Sequence, residues 1–219
     1  MKIVAFTDFH GNQDAIEKAR RAVSETKPNL VIVAGDVVNH DIDRAKQLLT
    51  RLAEAGVAVY FVPGNMDNEA LKDWNGEGRV VALHGLCVYA GDVALIGLGG
   101  SPVGAFSTPF ELNEKEARER LGSALRDYHG GKLILVSHCP PAGTKIDRTV
   151  DGEHIGSKVV REFVEANHPL LVLSGHVHEA QGVDSIGSTV VVNTGPAKNG
   201  NLVIVTLDQK VDVAFEKFL

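Results

Sequence analysis

The chain has 219 residues, with 22 Lys and Arg against 28 Asp and Glu, for a formal net charge of −6 at neutral pH. That balance argues against a whole-surface electrostatic grip on nucleic acid or anionic lipid. Hydrophobic residues make up 44% and charged residues 23%, which supplies a substantial core and excludes disorder as the general state.

Residues 3–6 form a short β-branched apolar run and predict a buried strand. Residues 12–26 carry Ala15, Ile16, Ala19 and Val23 at helical spacing, and Pro28 stops the helix. A second buried strand at 30–34, an amphipathic helix over 42–55 closed by Gly56, and a third strand at 57–62 complete the pattern of a parallel α/β sheet. The apolar pieces 80–82, 86–90 and 93–98 are separated by glycine and suggest hairpins. A Gly/Ser/Pro-rich loop over 99–109 precedes a helix at 113–128. Strands at 133–136 and 170–173 flank a helix at 157–166, and 189–192, 202–207 and 211–215 suggest an antiparallel meander. No linker or internal repeat divides the chain, which predicts one domain over residues 1–219.

Two cysteines, Cys87 and Cys139, provide no disulfide framework. The apolar run at the N-terminus is too short for a signal peptide, and no stretch reaches the length of a membrane span. The expected address is the cytoplasm, with no membrane partner.

Chemistry-bearing side chains recur where the strands end. The first strand leads into Asp8-Phe9-His10, the second into Gly35-Asp36 and the third into Gly64-Asn65-Met66-Asp67. The strand at 133–136 leads into Ser137-His138, and that at 170–173 into Gly175-His176-Val177-His178. Open α/β sheets place their sites at these ends. Taken singly, each Asp reads as a turn or cap residue and each His as a hydrogen-bonded structural residue. Together, metal-type side chains at five strand ends require a shared reason.

The ordered set Asp-x-His, Gly-Asp, Gly-Asn-x-Asp, His and Gly-His-x-His resembles the calcineurin-like metallophosphoesterases, from Asp8 to His178. Gly152-Glu153-His154-Ile155-Gly156-Ser157 and Val191-Val192-Asn193-Thr194-Gly195-Pro196 are similar to small stand-alone prokaryotic phosphoesterases of the family. The resemblance implies an α/β fold, a two-sheet αββα sandwich of the metallophosphoesterase type, with a dinuclear centre. Asp8, His10 and His178 would hold one divalent ion, Asn65, His138 and His176 the other, and the Asp36 carboxylate would bridge them. Carboxylate and imidazole ligands accept Mn, Fe, Ni, Co or Zn, with manganese the working choice. The implied reaction is in-line attack on phosphorus by a bridging hydroxide, with Asp36 and Asn65 catalytically essential and no covalent intermediate.

Departures from the family pattern sharpen the expectation. Met66 stands where many members carry a histidine that approaches the leaving group, a loss that typically costs about 10²–10⁴-fold. Asp67 remains and is expected at least to order the Gly64 turn. Gly35-Asp36-Val37-Val38-Asn39-His40 lacks the arginine with which phosphoprotein phosphatases grip a monoester dianion. His154, in a glycine-flanked loop before the helix that starts near Ser157, is proposed as a catalytic residue reaching the leaving group; the alternative is an exposed loop histidine. His40 is expected at the surface. His84, His129 and His168 receive no role. Cys139 is expected buried beside His138. The 99–110 loop is either a lid with Phe106 or Phe110 against substrate or an inert connection.

The expected function is therefore a metal-dependent phosphohydrolase, a phosphodiesterase acting on a small or nucleotide-like phosphoester. The alternative is a catalytically weak metal-binding scaffold or regulatory module of the same fold. A nuclease is disfavoured by the acidic charge. The alternating Val211, Val213 and Phe215 leave a homo-oligomer edge open.

Overall fold

A computed structural model describes residues 1–104 and 107–218. In chain order, the first half contains β1 (Lys2–Phe6), α1 (Gln13–Thr26), β2 (Leu30–Ala34), α2 (Ile42–Ala53), β3 (Val59–Val62), β4 (Val80–Ala82), β5 (Cys87–Ala90) and β6 (Val93–Leu98). The second half contains β7 (Ser101–Pro102), β8 (Glu111–Leu112), α3 (Glu114–Arg126), β9 (Lys132–Ser137), α4 (Lys158–Asn167), β10 (Leu171–Ser174), β11 (Gly182–Ile186), β12 (Thr189–Asn193), β13 (Asn201–Leu207) and β14 (Val211–Lys217).

Two six-stranded sheets pack face to face, in the orders β14-β13-β1-β2-β3-β4 and β11-β12-β10-β9-β6-β5. Strand periodicity assigns the faces. Ile3 and Ala5 of β1 point between the sheets with Ile32, Ala34, Ile134 and Leu173. Val4 and Phe6 point the other way and pack under α1 and α2. Leu133 and Leu135 of β9 meet α3 and α4 on the far side. Both faces of the central strands are thus covered, which is why those segments are continuous apolar runs.

Side-chain caps set the helix starts: Asn12 accepts from Ala15 N, Asp41 from Arg44 N and Ser157 from Val160 N. Among the described residues no helix is long and apolar enough to cross a membrane.

Two expectations are corrected and one strand is added. β4 extends the first sheet parallel to β3, whereas the hairpin is β5–β6 in the second sheet. The C-terminal strands do not form one meander: β12 runs parallel to β10 in the second sheet, and β13–β14 close the first. β11, half-exposed and interrupted by Asp184 and Ser185, pairs with β12 and was not anticipated. In each case partner choice is decided by connections between strands rather than by the strands' own patterns.

Candidate metal centre

The parallel strands β1, β2 and β3 of one sheet and β9 and β10 of the other end on the same edge of the sandwich. Beyond those ends the backbone leaves ordinary conformations. Asp8, His10, Asp36 and His176 have φ of 56°, 47°, 50° and 69°, in the left-handed region that L-residues avoid. Of the three other non-glycine residues with positive φ, Lys27 and His168 cap helices and His40 lies in the exposed turn before α2. Strain at the ligand-type positions therefore turns their side chains toward one point instead of terminating an element. Glycine is required for the close approach of these turns. A Cβ on Gly64 would overlap Asp36 Oδ1, and one on Gly175 would overlap Thr7 Oγ1.

All seven expected ligands come together, in two groups. In the first, His178 Nε2 lies 3.1 Å from Asp8 Oδ1 and 3.2 Å from His10 Nε2, and His10 Nε2 lies 3.6 Å from Asp8 Oδ1. In the second, Asn65 Oδ1 lies 2.9 Å from both His138 Nε2 and His176 Nδ1. Asp36 stands between them: Oδ2 is 3.7 Å from His10 Nε2, and Oδ1 is 3.6 Å from His138 Nε2. Donor atoms sharing one ion at bonds of about 2.1 Å sit roughly 3.0–3.4 Å apart. The observed separations, 2.9–3.7 Å, match that spacing.

The hydrogen bonding around the groups also fits a cation. His138 Nδ1 donates to Ala34 O at 2.8 Å, and burial lowers the pKa of this ring, so Nε2 carries a lone pair. That lone pair faces Asn65 Oδ1, another acceptor, an arrangement a positive ion between them resolves. His10 is oriented in the same way through Nδ1 and Asn39 Oδ1, 2.9 Å apart. Burial works to lower His10, yet its contacts with Asp8 and Asn39 and the charges of Asp36 and Asp8 leave its pKa raised. His176 is pushed down to about 3, first by burial and then by His138.

The carboxylates show the same excess of negative charge. Burial opposes ionisation of Asp8, but bonds from His10 and His178 hold it well below the usual carboxylate range. Asp36 is driven well above that range by burial and by the charges of Asp8 and Asp67. One site therefore holds a deprotonated Asp and a neighbour that resists ionisation until positive charge arrives.

Of the remaining expectations, Asp67 is fully buried and organises the turn: Oδ2 accepts from Gly64 N at 2.8 Å and Val37 N at 3.2 Å, and Oδ1 from Val38 N at 2.9 Å. Met66 contributes its backbone N–H, 2.8 Å from Asp36 Oδ1. His40 is exposed. Cys139 is buried, its thiol pKa raised by burial, and it donates to Ile155 O at 3.6 Å. A cavity of 240 Å³ lies beside it, lined by Ser137, Ser157, Val159 and Gly100 but by none of the seven ligand-type residues. Phe110 is 1% exposed and packs on His84 instead of facing the site, while Phe106 lies outside the described residues. His154 stands apart from the seven, bonded to Asp147. Asp147, Thr7 and Asn39 escaped the sequence reading. The Thr144-x-x-Asp147 capping pattern was the only available signal for Asp147.

A two-sheet sandwich with Asp, Asn and His donors clustered at its strand ends is a candidate metal-binding protein. The chain belongs to the calcineurin-like phosphoesterase family, whose profile matches residues 1–180. An uncharacterized protein of Methanocaldococcus jannaschii is 32% identical over 211 residues, spanning 90% of this chain and 88% of the relative. The crystal structure of a Thermus thermophilus protein, TT1561, superposes with a TM-score of 0.77 at 19% identity, covering 100% of this chain and 99% of that one. A structure described as a novel archaeal phosphodiesterase superposes with a TM-score of 0.59 at 16% identity, covering 99% of each chain.

Proposed function

We propose that the chain is a binuclear phosphodiesterase acting on a small or nucleotide-like phosphoester. The observation that carries this reading is Asp36, which presents one oxygen to His10 and the other to His138. Two divalent ions held by Asp8, His10, His178, Asn65, His138 and His176 around Asp36 would supply an activated water and charge neutralisation at the phosphoryl group.

The chain's own groups hold this arrangement. Thr7 Oγ1 and the His176 N–H engage Asp8 Oδ2 at 2.7 and 3.1 Å, leaving Oδ1 directed at His178. Ala34 O fixes the His138 tautomer, and Asn65 Oδ1 gathers His138 and His176. The Met66 N–H restrains one Asp36 oxygen. Diester preference follows from what surrounds Asp36. Asn39-His40 stands where phosphoprotein phosphatases carry Asp and the dianion-gripping arginine, so a monoester's second charge meets no matching fork. Oxygen and nitrogen donors suit Mn, Fe, Ni, Co or Zn, and manganese is the ion to load first.

The test is hydrolysis of bis(4-nitrophenyl) phosphate beside 4-nitrophenyl phosphate by metal-stripped protein reloaded with Mn²⁺, with Asp36→Asn as control. Diester turnover that exceeds monoester turnover and disappears in the control is expected. Two ions bound per chain without turnover on either ester would instead favour a metal-binding scaffold or regulatory module, with Met66 the first residue to answer for it.

A further inference from the structure

Asp147 is a buried carboxylate outside the ligand cluster, and its bonding is asymmetric. Oδ2 accepts from Gly143 N at 3.0 Å and Gly156 N at 3.2 Å, and Oδ1 from Thr144 N at 2.8 Å and Thr144 Oγ1 at 3.2 Å. Four donors from its own loop thus anchor it. The fifth partner is His154 Nδ1, 2.7 Å from Oδ1. Asp147 is 0% exposed whereas the His154 side chain is 47% exposed. A carboxylate can only accept, so Nδ1 carries a proton toward Asp147 and the opposite ring nitrogen, Nε2, is turned away from it.

The loop that carries this pair is tied to both ligand-bearing segments of the second sheet. On one side the Cys139 thiol donates to Ile155 O at 3.6 Å, and Ser157 N donates to Pro140 O at 2.8 Å, directly after His138. On the other, Val150 N donates to Glu179 Oε1 at 3.2 Å, and Asn193 Nδ2 bridges Ile146 O at 3.2 Å and Val177 O at 2.8 Å, on either side of His178. The loop is therefore fastened at both ends to residues that neighbour His138 and His178 in the chain.

We propose that His154, held by Asp147, meets the leaving-group oxygen of the phosphodiester and delivers its proton, with Asp147 as the positioning residue. This assignment rests on the phosphodiesterase reading. As the incoming oxygen bonds to phosphorus, the bond to the leaving oxygen breaks with its electron pair on that oxygen. The Nε2 proton of the His154 imidazolium passes to it, giving the free alcohol and a neutral ring that still donates Nδ1–H to Asp147 and regains its proton from solvent. Met66 offers no proton at the turn where a histidine could have stood. His154 is a half-exposed histidine oriented by Asp147, in a loop tied to the segments next to His138 and His178.

The test compares diphenyl phosphate, whose phenolate leaves poorly, with bis(4-nitrophenyl) phosphate, whose leaving group needs little help. In His154→Ala and His154→Gln, kcat for diphenyl phosphate should fall by about 10²-fold, a loss at least tenfold greater than on the nitrophenyl ester. KM and metal content should be retained. Added imidazole should restore part of the His154→Ala loss on diphenyl phosphate. Asp147→Asn should show the same leaving-group bias, with thermal melts separating it from a folding defect. Equal losses on both diesters, or no loss on either, overturn the assignment while leaving the phosphodiesterase intact. A wild-type enzyme that hydrolyses neither diester overturns both.

Discussion

The two halves of the centre repeat one geometry at different depths. His10 and His178 meet with ring centroids 5.1 Å apart at 75°, and His138 and His176 at 5.1 Å and 69°. Yet the His10 and His178 side chains are 14% and 36% exposed, whereas His138 is fully buried. A pair of crossed imidazoles therefore serves two purposes. The deeper half is continuous with the fold, through the His138 bond to Ala34 O, and the other half is more open to solvent.

Asp36 presents one oxygen to each half, so its substitution should have the largest effect. Asp36→Asn keeps the volume but removes the charge that the proposed pair of cations would share. We expect a loss of roughly 10³-fold or more in kcat and a fall from two bound ions per chain toward one. Metal analysis on the variant used in the assay checks this. Two tightly held ions with full activity would break the assignment of Asp36 as the bridge.

Removing one histidine from each half separates them next. His138→Ala removes one of the two side-chain donors to Ala34 O and opens a void in the sandwich, which should cost about 2–4 kcal/mol even in metal-free protein. His10→Ala removes a partly exposed ring and should cost under about 1 kcal/mol under the same conditions. Urea unfolding in chelator measures both. Equal costs would show that the two halves do not differ in their share of the fold.

This contrast also explains what could be read from the sequence. The central strands were legible because both faces are buried: Leu30, Val31, Ile32, Val33 and Ala34 form an unbroken apolar run that allows no alternation. The seven ligand-type residues were legible because they follow such runs directly. What the sequence hid was conformational. Nothing in Asp8 or His176 as letters announces a left-handed φ, nor that Gly175 admits Thr7 against it. β11 was missed because Asp184 and Ser185 interrupt a short half-exposed strand. Asn193 illustrates the limit: it ends β12 as an ordinary polar residue, yet its amide joins Ile146 O to Val177 O across segments far apart in the chain.

Metal loading should stabilise the fold by mass action. An ion at about a hundred times its Kd adds roughly 2.7 kcal/mol, which for a chain of this size raises Tm by about 5–10 °C. The two-halves comparison sharpens the expectation. His10→Ala should retain most of the rise because the Asn65, His138 and His176 group is intact, whereas His138→Ala should lose most of it. Calorimetric melts with and without Mn²⁺ decide between that ordering and its reverse.

His84 provides a buried histidine outside both halves and the smallest expected effect. Its Nδ1 accepts from Gly99 N–H at 2.9 Å, which places the proton on Nε2, and among the described residues that atom has no hydrogen-bond partner. Burial, followed by the charges of Arg120 and Lys72, pushes its pKa down to about 4. The unfolded chain protonates this ring near 6.5, so between about 6.5 and 4 the unfolded state holds the extra proton. Stability from this group is complete above the upper value and is lost as pH falls toward the lower one. In metal-free His84→Leu the slope of stability against pH across that window should flatten by up to about 1.4 kcal/mol per unit relative to the parent. Because His138 and His176 titrate in both proteins, the difference in slope isolates His84. Identical slopes would mean that His84 contributes nothing to the acid sensitivity of the fold.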